Sequence, residues 1–193
     1  MSTLKVDTIL KRTGTGTITV GQSGDTIAMP SATLTTALPV ASGGTGGTSF
    51  SAAGLSNTPS FMVKLSGNQS QSSSNTKLQL NTELWDTDGK YDTSNYRFTP
   101  TVAGKYVFMY GTNMGAMNDG DSLFLRPYKN GSEIKFGNLR YQTGSAGSGL
   151  YVTGSTMVES DTDDYFELYG SSSSGNHFDA EMTYFAGYKL IGV

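Results

Sequence analysis

The feature that most constrains the fold is an alternating run of aromatic residues in the middle of the chain. Tyr106, Phe108 and Tyr110 occupy every second position, and Val107 and Met109 lie between them. Strict alternation of this kind predicts a β-strand, because successive side chains of a strand point to opposite faces. Since both faces carry apolar groups, we expect one to be covered by the domain core and the other by something else.

Shorter runs of the same kind continue to the end of the chain, and no window has helical periodicity. The sequence therefore predicts an all-β protein. Asn130-Gly131 predicts a tight hairpin, and Pro127 just before it predicts an edge strand or a bulge. The predicted strands besides the central one are 61–65, 77–85, 123–129, 132–136, 150–158, 165–169 and 181–191.

Eight residues between positions 80 and 110 stand at a set of spacings that marks a known family. They are Leu80, Asp86, Tyr91, Phe98, Gly104, Tyr106, Phe108 and Tyr110. This pattern resembles the signature of the C1q-like domain, a jelly roll of the tumour-necrosis-factor type. Only Leu80 departs from it, where the family usually has Phe, and this exchanges one core residue for another. The resemblance implies a jelly-roll sandwich over residues 59–193.

The resemblance also implies a homotrimer in which the second apolar face lines the threefold axis. We accordingly predict C3 symmetry. The predicted trimer-interface residues are Tyr106, Phe108, Tyr110, Tyr184 and Tyr188. An alternative is that the chain's own N-terminal segment covers this face.

Residues 1–58 differ in composition from the rest. Residues 1–42 contain short apolar bursts between glycine turns, and residues 43–58 begin with a Gly-rich run typical of a linker. The apolar content of 1–42 is too thin for an independent core, so we expect an extended β segment that intertwines in the trimer or docks to a partner. The STLKVDTI and GGTGGTSF motifs resemble the starts of bacteriophage tail-fibre and appendage proteins. A disordered leader is the alternative.

Composition excludes several classes of function. The net charge is −3 and no Lys/Arg cluster occurs, so we expect no nucleic-acid partner. No apolar run is long enough to cross a bilayer, and no secretory signal is recognisable, so we expect assembly in a host cytoplasm and no membrane insertion. The absence of cysteine excludes disulfides and thiolate chemistry.

Candidate sites for chemistry are few. The single histidine, His177, lies in a Ser/Gly/Asn-rich loop, and no catalytic motif accompanies it, so we assign no catalytic residue and predict a non-enzyme without a cofactor. Asp119 and Asp121 are the first choice for a calcium site, although acidic residues in turns are ordinary.

Polar loops at 67–76, 141–149 and 171–178 are suited to adaptable hydrogen bonding with a host glycan or protein. The predicted receptor-contacting residues in them are Tyr141, Ser145, Ser172, Asn176 and His177. Together, these features predict a structural virion protein, a trimeric phage tail fibre or appendage whose N-terminus docks to other virion proteins and whose head serves host attachment. The alternative is a cellular secreted or surface C1q-like module that binds carbohydrate or protein.

Overall fold

The computed structural model describes residues 57–70, 72–142, 144, 149–174 and 177–191. The predicted N-terminal segment 1–42 and almost all of the linker 43–58 lie outside these residues, and their roles stay predictions. The described part is all-β, as predicted, with fourteen strands and one 3-10 helix at Lys135–Gly137. It contains no helix that is long and apolar enough to cross a membrane.

The strands are short, apart from the central ones. In chain order they are β1 (Ser60–Lys64), β2 (Gln69–Ser70), β3 (Thr76–Lys77), β4 (Thr82–Asp86), β5 (Tyr91–Asp92), β6 (Arg97–Phe98), β7 (Gly104–Met114), β8 (Ser122–Lys129), β9 (Ser132–Glu133), β10 (Leu139–Gln142), β11 (Leu150–Ser160), β12 (Phe166–Ser172), β13 (His177–Phe178) and β14 (Tyr184–Lys189).

The strands form two antiparallel sheets in a jelly-roll-like sandwich. Sheet 1 runs β11-β7-β14-β1-β4, with β13 pairing beside β14 on β7 and β2 pairing with β13. Sheet 2 runs β10-β8-β12-β6-β5, with β9 pairing with β8 and β3 with β12. The long central strand β7 hydrogen-bonds along its full length to β11, from Gly104↔Ser160 to Met114↔Leu150. Because β1, β7 and β12 all end at the same end of the sandwich, we call it the apical end.

The signature residues build the core between the sheets. Phe108 lies at its centre, where its ring is 4.6 Å from that of Phe166 and 5.4 Å from that of Phe185, centroid to centroid. Six of the eight signature positions are buried, namely Leu80, Tyr91, Phe98, Tyr106, Phe108 and Tyr110. The other two shape turns. The carboxylate of Asp86 accepts a hydrogen bond from the backbone N–H of Tyr91 at 2.7 Å, and Gly104 has a positive φ of 147°.

Three local predictions needed correction. The predicted strand 132–136 is a strand only at Ser132–Glu133, because Lys135–Gly137 form the 3-10 helix. The predicted strand 77–85 is interrupted, because only its ends join a ladder, Thr76–Lys77 in sheet 2 and Thr82–Asp86 in sheet 1. Pro127 lies on an inner strand, β8, and is tolerated because the neighbouring chain leaves the ladder there to form the 3-10 helix. The Asn130-Gly131 hairpin is confirmed, with both residues at positive φ.

Candidate functional site

Tyr106, Phe108 and Tyr110 point into the sandwich, not towards a neighbouring subunit. All three are at most 1% exposed in the isolated chain, and the Tyr110 hydroxyl donates to the backbone oxygen of Gly137. Burial raises the pKa of Tyr106 and of Tyr110 to about 12, as expected for enclosed phenols. A side chain without exposed surface cannot contact a second copy, so the assignment of these three residues to a trimer interface is wrong. They lie on the opposite face of β7.

The outward side of sheet 1 carries the second apolar face that the sequence led us to expect. Partners in an antiparallel ladder share a face, so the register places Met109 beside Ala186, Ala186 beside Met62, and Met62 beside Trp85. The next row places Met157 beside Val107 and Val107 beside Tyr188. We call this set the apolar face: Met62, Trp85, Val107, Met109, Met157, Ala186 and Tyr188.

Much of the apolar face is open in the single chain. Met157 is 65% exposed, Trp85 50% and Met109 37%. Contiguous apolar surface of this kind marks an interaction site in soluble proteins. Of the predicted interface residues, only Tyr188 belongs to this face, and Met109, Met157 and Trp85 were not among them. The signal was present, because Val107 and Met109 alternate with the core aromatics.

Tyr184 lies on the same side of sheet 1 but nearer the apical end. Its ring crosses directly over Gly111, where an added Cβ would be 2.6 Å from the tyrosine Cε1, so this contact requires glycine. Burial raises the pKa of Tyr184. The charge of Tyr151 and a hydrogen bond with it raise this pKa further. Tyr184 is therefore half-buried and already held within its own chain.

The outward side of sheet 2 has a different character. Tyr128 and Tyr169 pack ring against ring at 4.2 Å, and Arg126 lies over the ring of Phe124 at 4.1 Å. Arg126 also donates to Asn75 at 3.1 Å and to Ser171 at 2.7 Å. Lys77 pairs with the buried carboxylate of Glu167 at 2.5 Å. These aromatic and charged groups hold one another within one chain.

The polar loops gather at the apical end. The backbone N–H of Ser172 donates to Ser72 at 2.9 Å, which joins loop 171–178 to loop 67–76. The side-chain amide of Gln142 donates to Gly120 at 3.1 Å, which joins the start of loop 141–149 to the turn at 118–121. The hydroxyl of Ser173 donates to Asp121 at 2.9 Å, so the described parts of the three segments are connected through this turn. Asn57, the first described residue, lies at the opposite end.

The individual loop residues differ in what they offer a ligand. Tyr141 is half-exposed, whereas Ser172 is 1% exposed and donates to the backbone oxygen of Ser174, so the prediction that Ser172 contacts a receptor is wrong. His177 is half-buried, and its Nε2 lies 2.8 Å from the side-chain nitrogen of Asn68. Ser145 and Asn176 lie outside the described residues. The side-chain amides of Asn68, Gln79 and Asn81 line a polar groove. Nothing in the sequence distinguishes them from other amides, so they were not predicted.

Asp121 is engaged by hydrogen-bond donors at the apical end. Its carboxylate accepts from the hydroxyls of Ser173 and Ser174 and from the backbone N–H of Asn118. The hydrogen bond from Ser174 is the main cause that holds the pKa of Asp121 below its usual value. Across the described ranges, no three His, Asp or Glu side chains gather in a group that could hold a metal. Calcium at Asp119 and Asp121 stays a prediction.

Comparison with known proteins identifies the family. The C1q domain profile matches residues 60–190, about two thirds of the chain. The chain is also similar in fold to the globular domain of zebrafish complement 1qA protein, with a TM-score of 0.55 at 17% identity over 68% of this chain and 97% of that one. No curated protein sequence matches. The match over the whole sandwich means that this chain belongs to the C1q domain family.

Proposed function

We propose that the protein is a homotrimer whose protomers meet through the apolar face of sheet 1. The observation that carries this proposal is the exposure of Met157, Trp85 and Met109 in one contiguous patch on a single chain. Removing such surface from water contributes roughly 25 cal/mol per Å². Trimeric assembly is typical of C1q domains, and a threefold arrangement would bring three copies of this face together around one axis.

We further propose a non-enzymatic structural role in a bacteriophage fibre or appendage. The resemblance of the first fifty residues to phage tail-fibre proteins supports this, with that segment docking to other virion proteins. The polar apical end is the exposed part of the head and contacts a host-surface glycan or protein. Three copies of a weak apical site on one head would gain affinity through multivalency.

The docking role is tested by adding purified protein to particles that lack it. We expect the full chain to join the particles and a head that begins at residue 59 to stay free, although both have the same oligomeric mass. If the head alone joins equally well, the docking role of residues 1–58 is wrong. If neither joins and the protein is instead found on a cell surface or secreted, a cellular binding module replaces the virion role.

A further inference from the structure

Phe136 is an exposed aromatic side chain on a rigid support. It is 77% exposed, the largest exposed fraction among the big apolar side chains of the described residues. The 3-10 helix beneath it is pinned, because Gly137 N–H donates to Ile134 and Ile134 N–H donates to Pro127, both at 2.9 Å. Gly137 itself packs so closely on Pro127 that an added Cβ would be 2.8 Å from the ring Cγ. The backbone that carries Phe136 is therefore fixed, and the ring of Phe136 is left open to solvent.

The apolar face contains a hollow of matching size. Ala186 is the ladder partner of Met109, so a small residue lies beside a long one, and both line the hollow. Trp85 and Tyr188 complete the rim of a groove of about 220 Å³. An apolar cavity of about 150 Å³ is enough to hold benzene. The hollow therefore has room for one aromatic ring.

Phe136 and the hollow lie apart on the same molecule. The 3-10 helix packs beside β11, the edge strand of sheet 1, whereas the hollow extends from β7 towards β4 at the other edge. A protruding group on one side and a hollow on the other are suited to a heterologous contact, in which two different surfaces of the same protein meet. Such a contact repeats from copy to copy, and it forms a closed ring of three copies when the rotation between neighbours is one third of a full turn. A twofold contact would instead need one patch that complements itself.

We propose that Phe136 of one protomer inserts into the Ala186 hollow of the next protomer around the threefold axis. This inference rests on the proposed trimer and names the residue that anchors it. Charge agrees with the pairing, because Lys135 stands next to Phe136 and Glu83 stands near Trp85. Both are exposed, and neither has an ion-pair partner in the part of the chain that the structure describes. A buried aromatic anchor in a pocket is the usual centre of an interface.

The first test is cross-linking of the full chain, which has no cysteine of its own. Lys135→Cys lies beside Phe136 and leaves the ring unchanged. Ser60→Cys replaces a residue that lines the hollow by one of similar size, so the hollow keeps its shape. With a short bismaleimide, we expect the double variant to give a covalent three-chain species and each single variant to stay uncross-linked. A matched control pairs Ser60→Cys with Met182→Cys, an exposed residue away from both surfaces, and should give no three-chain species.

The outcomes separate the two proposals. If light scattering gives the mass of three chains but the Lys135/Ser60 double variant does not cross-link, the anchoring role of Phe136 is wrong and the trimer stands. If light scattering gives a monomer, the trimer itself is wrong. If the Lys135→Cys single variant forms two-chain species, the contact is twofold and the heterologous arrangement is overturned.

A substitution tests the same contact without cross-linker. We expect Phe136→Ala to raise the dissociation constant of the trimer roughly tenfold or more, while Met182→Ala leaves it unchanged. Far-ultraviolet circular dichroism of both variants checks that the sandwich is intact. Equal dissociation constants for the two folded variants would show that Phe136 is not an anchor.

Discussion

The outward sides of the two sheets carry different kinds of side chain. On sheet 2, aromatic rings carry polar or charged partners: Arg126 lies over Phe124, and Asn75 donates to the hydroxyl of Tyr128. On sheet 1, the corresponding positions are methionine, valine, alanine, tryptophan and tyrosine, whose only polar side-chain groups are the indole N–H of Trp85 and the hydroxyl of Tyr188. A side that is stabilised within its own chain needs no partner, whereas a bare apolar side does. This difference supports our proposal that copies of the chain associate through sheet 1.

The largest effect on stability is expected for a substitution in the core that lies between the two sheets. Phe108→Ala removes the ring that contacts Phe61, Phe98, Tyr106, Phe166 and Phe185, and should lower the free energy of unfolding by about 3–5 kcal/mol. Chemical denaturation measures it. A loss below about 1 kcal/mol would mean that Phe108 lies at a surface, as the interface prediction from sequence required.

The next prediction compares how a new charge on each outward side changes the dissociation constant of the trimer. Met157→Glu buries a charge without a partner if sheet 1 is the interface, and should raise the dissociation constant of the trimer roughly hundredfold. Arg140→Glu on the outward side of sheet 2 is the matched control, because that side chain is also exposed. Sedimentation at several concentrations gives both constants. Dissociation by Arg140→Glu alone would reverse the comparison.

A third prediction concerns the ion pair of Lys129 with the enclosed carboxylate of Asp164, near sheet 2. Burial alone would raise the pKa of Asp164, but hydrogen bonds from Lys129 at 2.7 Å and from the backbone of Asp161 at 2.6 Å outweigh it and hold that pKa below the usual 3.8. A lowered folded-state pKa stabilises the fold above about pH 4, and this stability is lost as the pH falls further.

Asp164→Asn should therefore cost about 1–3 kcal/mol of unfolding free energy at neutral pH. The difference from the unmodified protein should shrink between about pH 5 and pH 2, because only the carboxylate titrates there. Urea titrations at several pH values measure it. A difference that is constant with pH would assign the cost to packing and not to the charge of Asp164.

The smallest effect is expected for an exposed pair on sheet 1. Lys64 and Glu181 are 2.9 Å apart, but the carboxylate is largely open to solvent. A double-mutant cycle with alanine should give a coupling of about 0–1 kcal/mol, and added salt should reduce it. A coupling well above 1 kcal/mol in the monomer would show that charged pairs on sheet 1 are as strongly held as those near sheet 2.

The sequence was a good guide to the core and a poor guide to the direction of each face. The signature spacing predicted the sandwich because Tyr91, Phe98 and Phe108 are the residues that fill it. Alternation along β7 revealed two apolar faces, but a period of two cannot tell which face is inward. Only the paired strands decide this. Tyr106 and Tyr110 face sheet 2, and Met109 faces away.

The hollow at Ala186 and the exposed ring of Phe136 could not be predicted from the sequence, for a related reason. Ala186 lines a groove only because the register places it beside Met109, with Trp85 and Tyr188 nearby. Phe136 was predicted to continue a strand, 132–136, and is instead turned outward by a 3-10 helix that closes against Pro127. Both features arise from contacts between residues that are distant along the chain.

The most direct test of the central claim is the solution mass of the full chain by light scattering, with and without a calcium chelator. We predict a stable mass of three times the protomer's 20.4 kDa, independent of protein concentration over the accessible range. Loss of that mass in chelator would show that calcium contributes to assembly. A monomer under all conditions would contradict the account, because the apolar face of sheet 1 would then be exposed without a second copy to cover it.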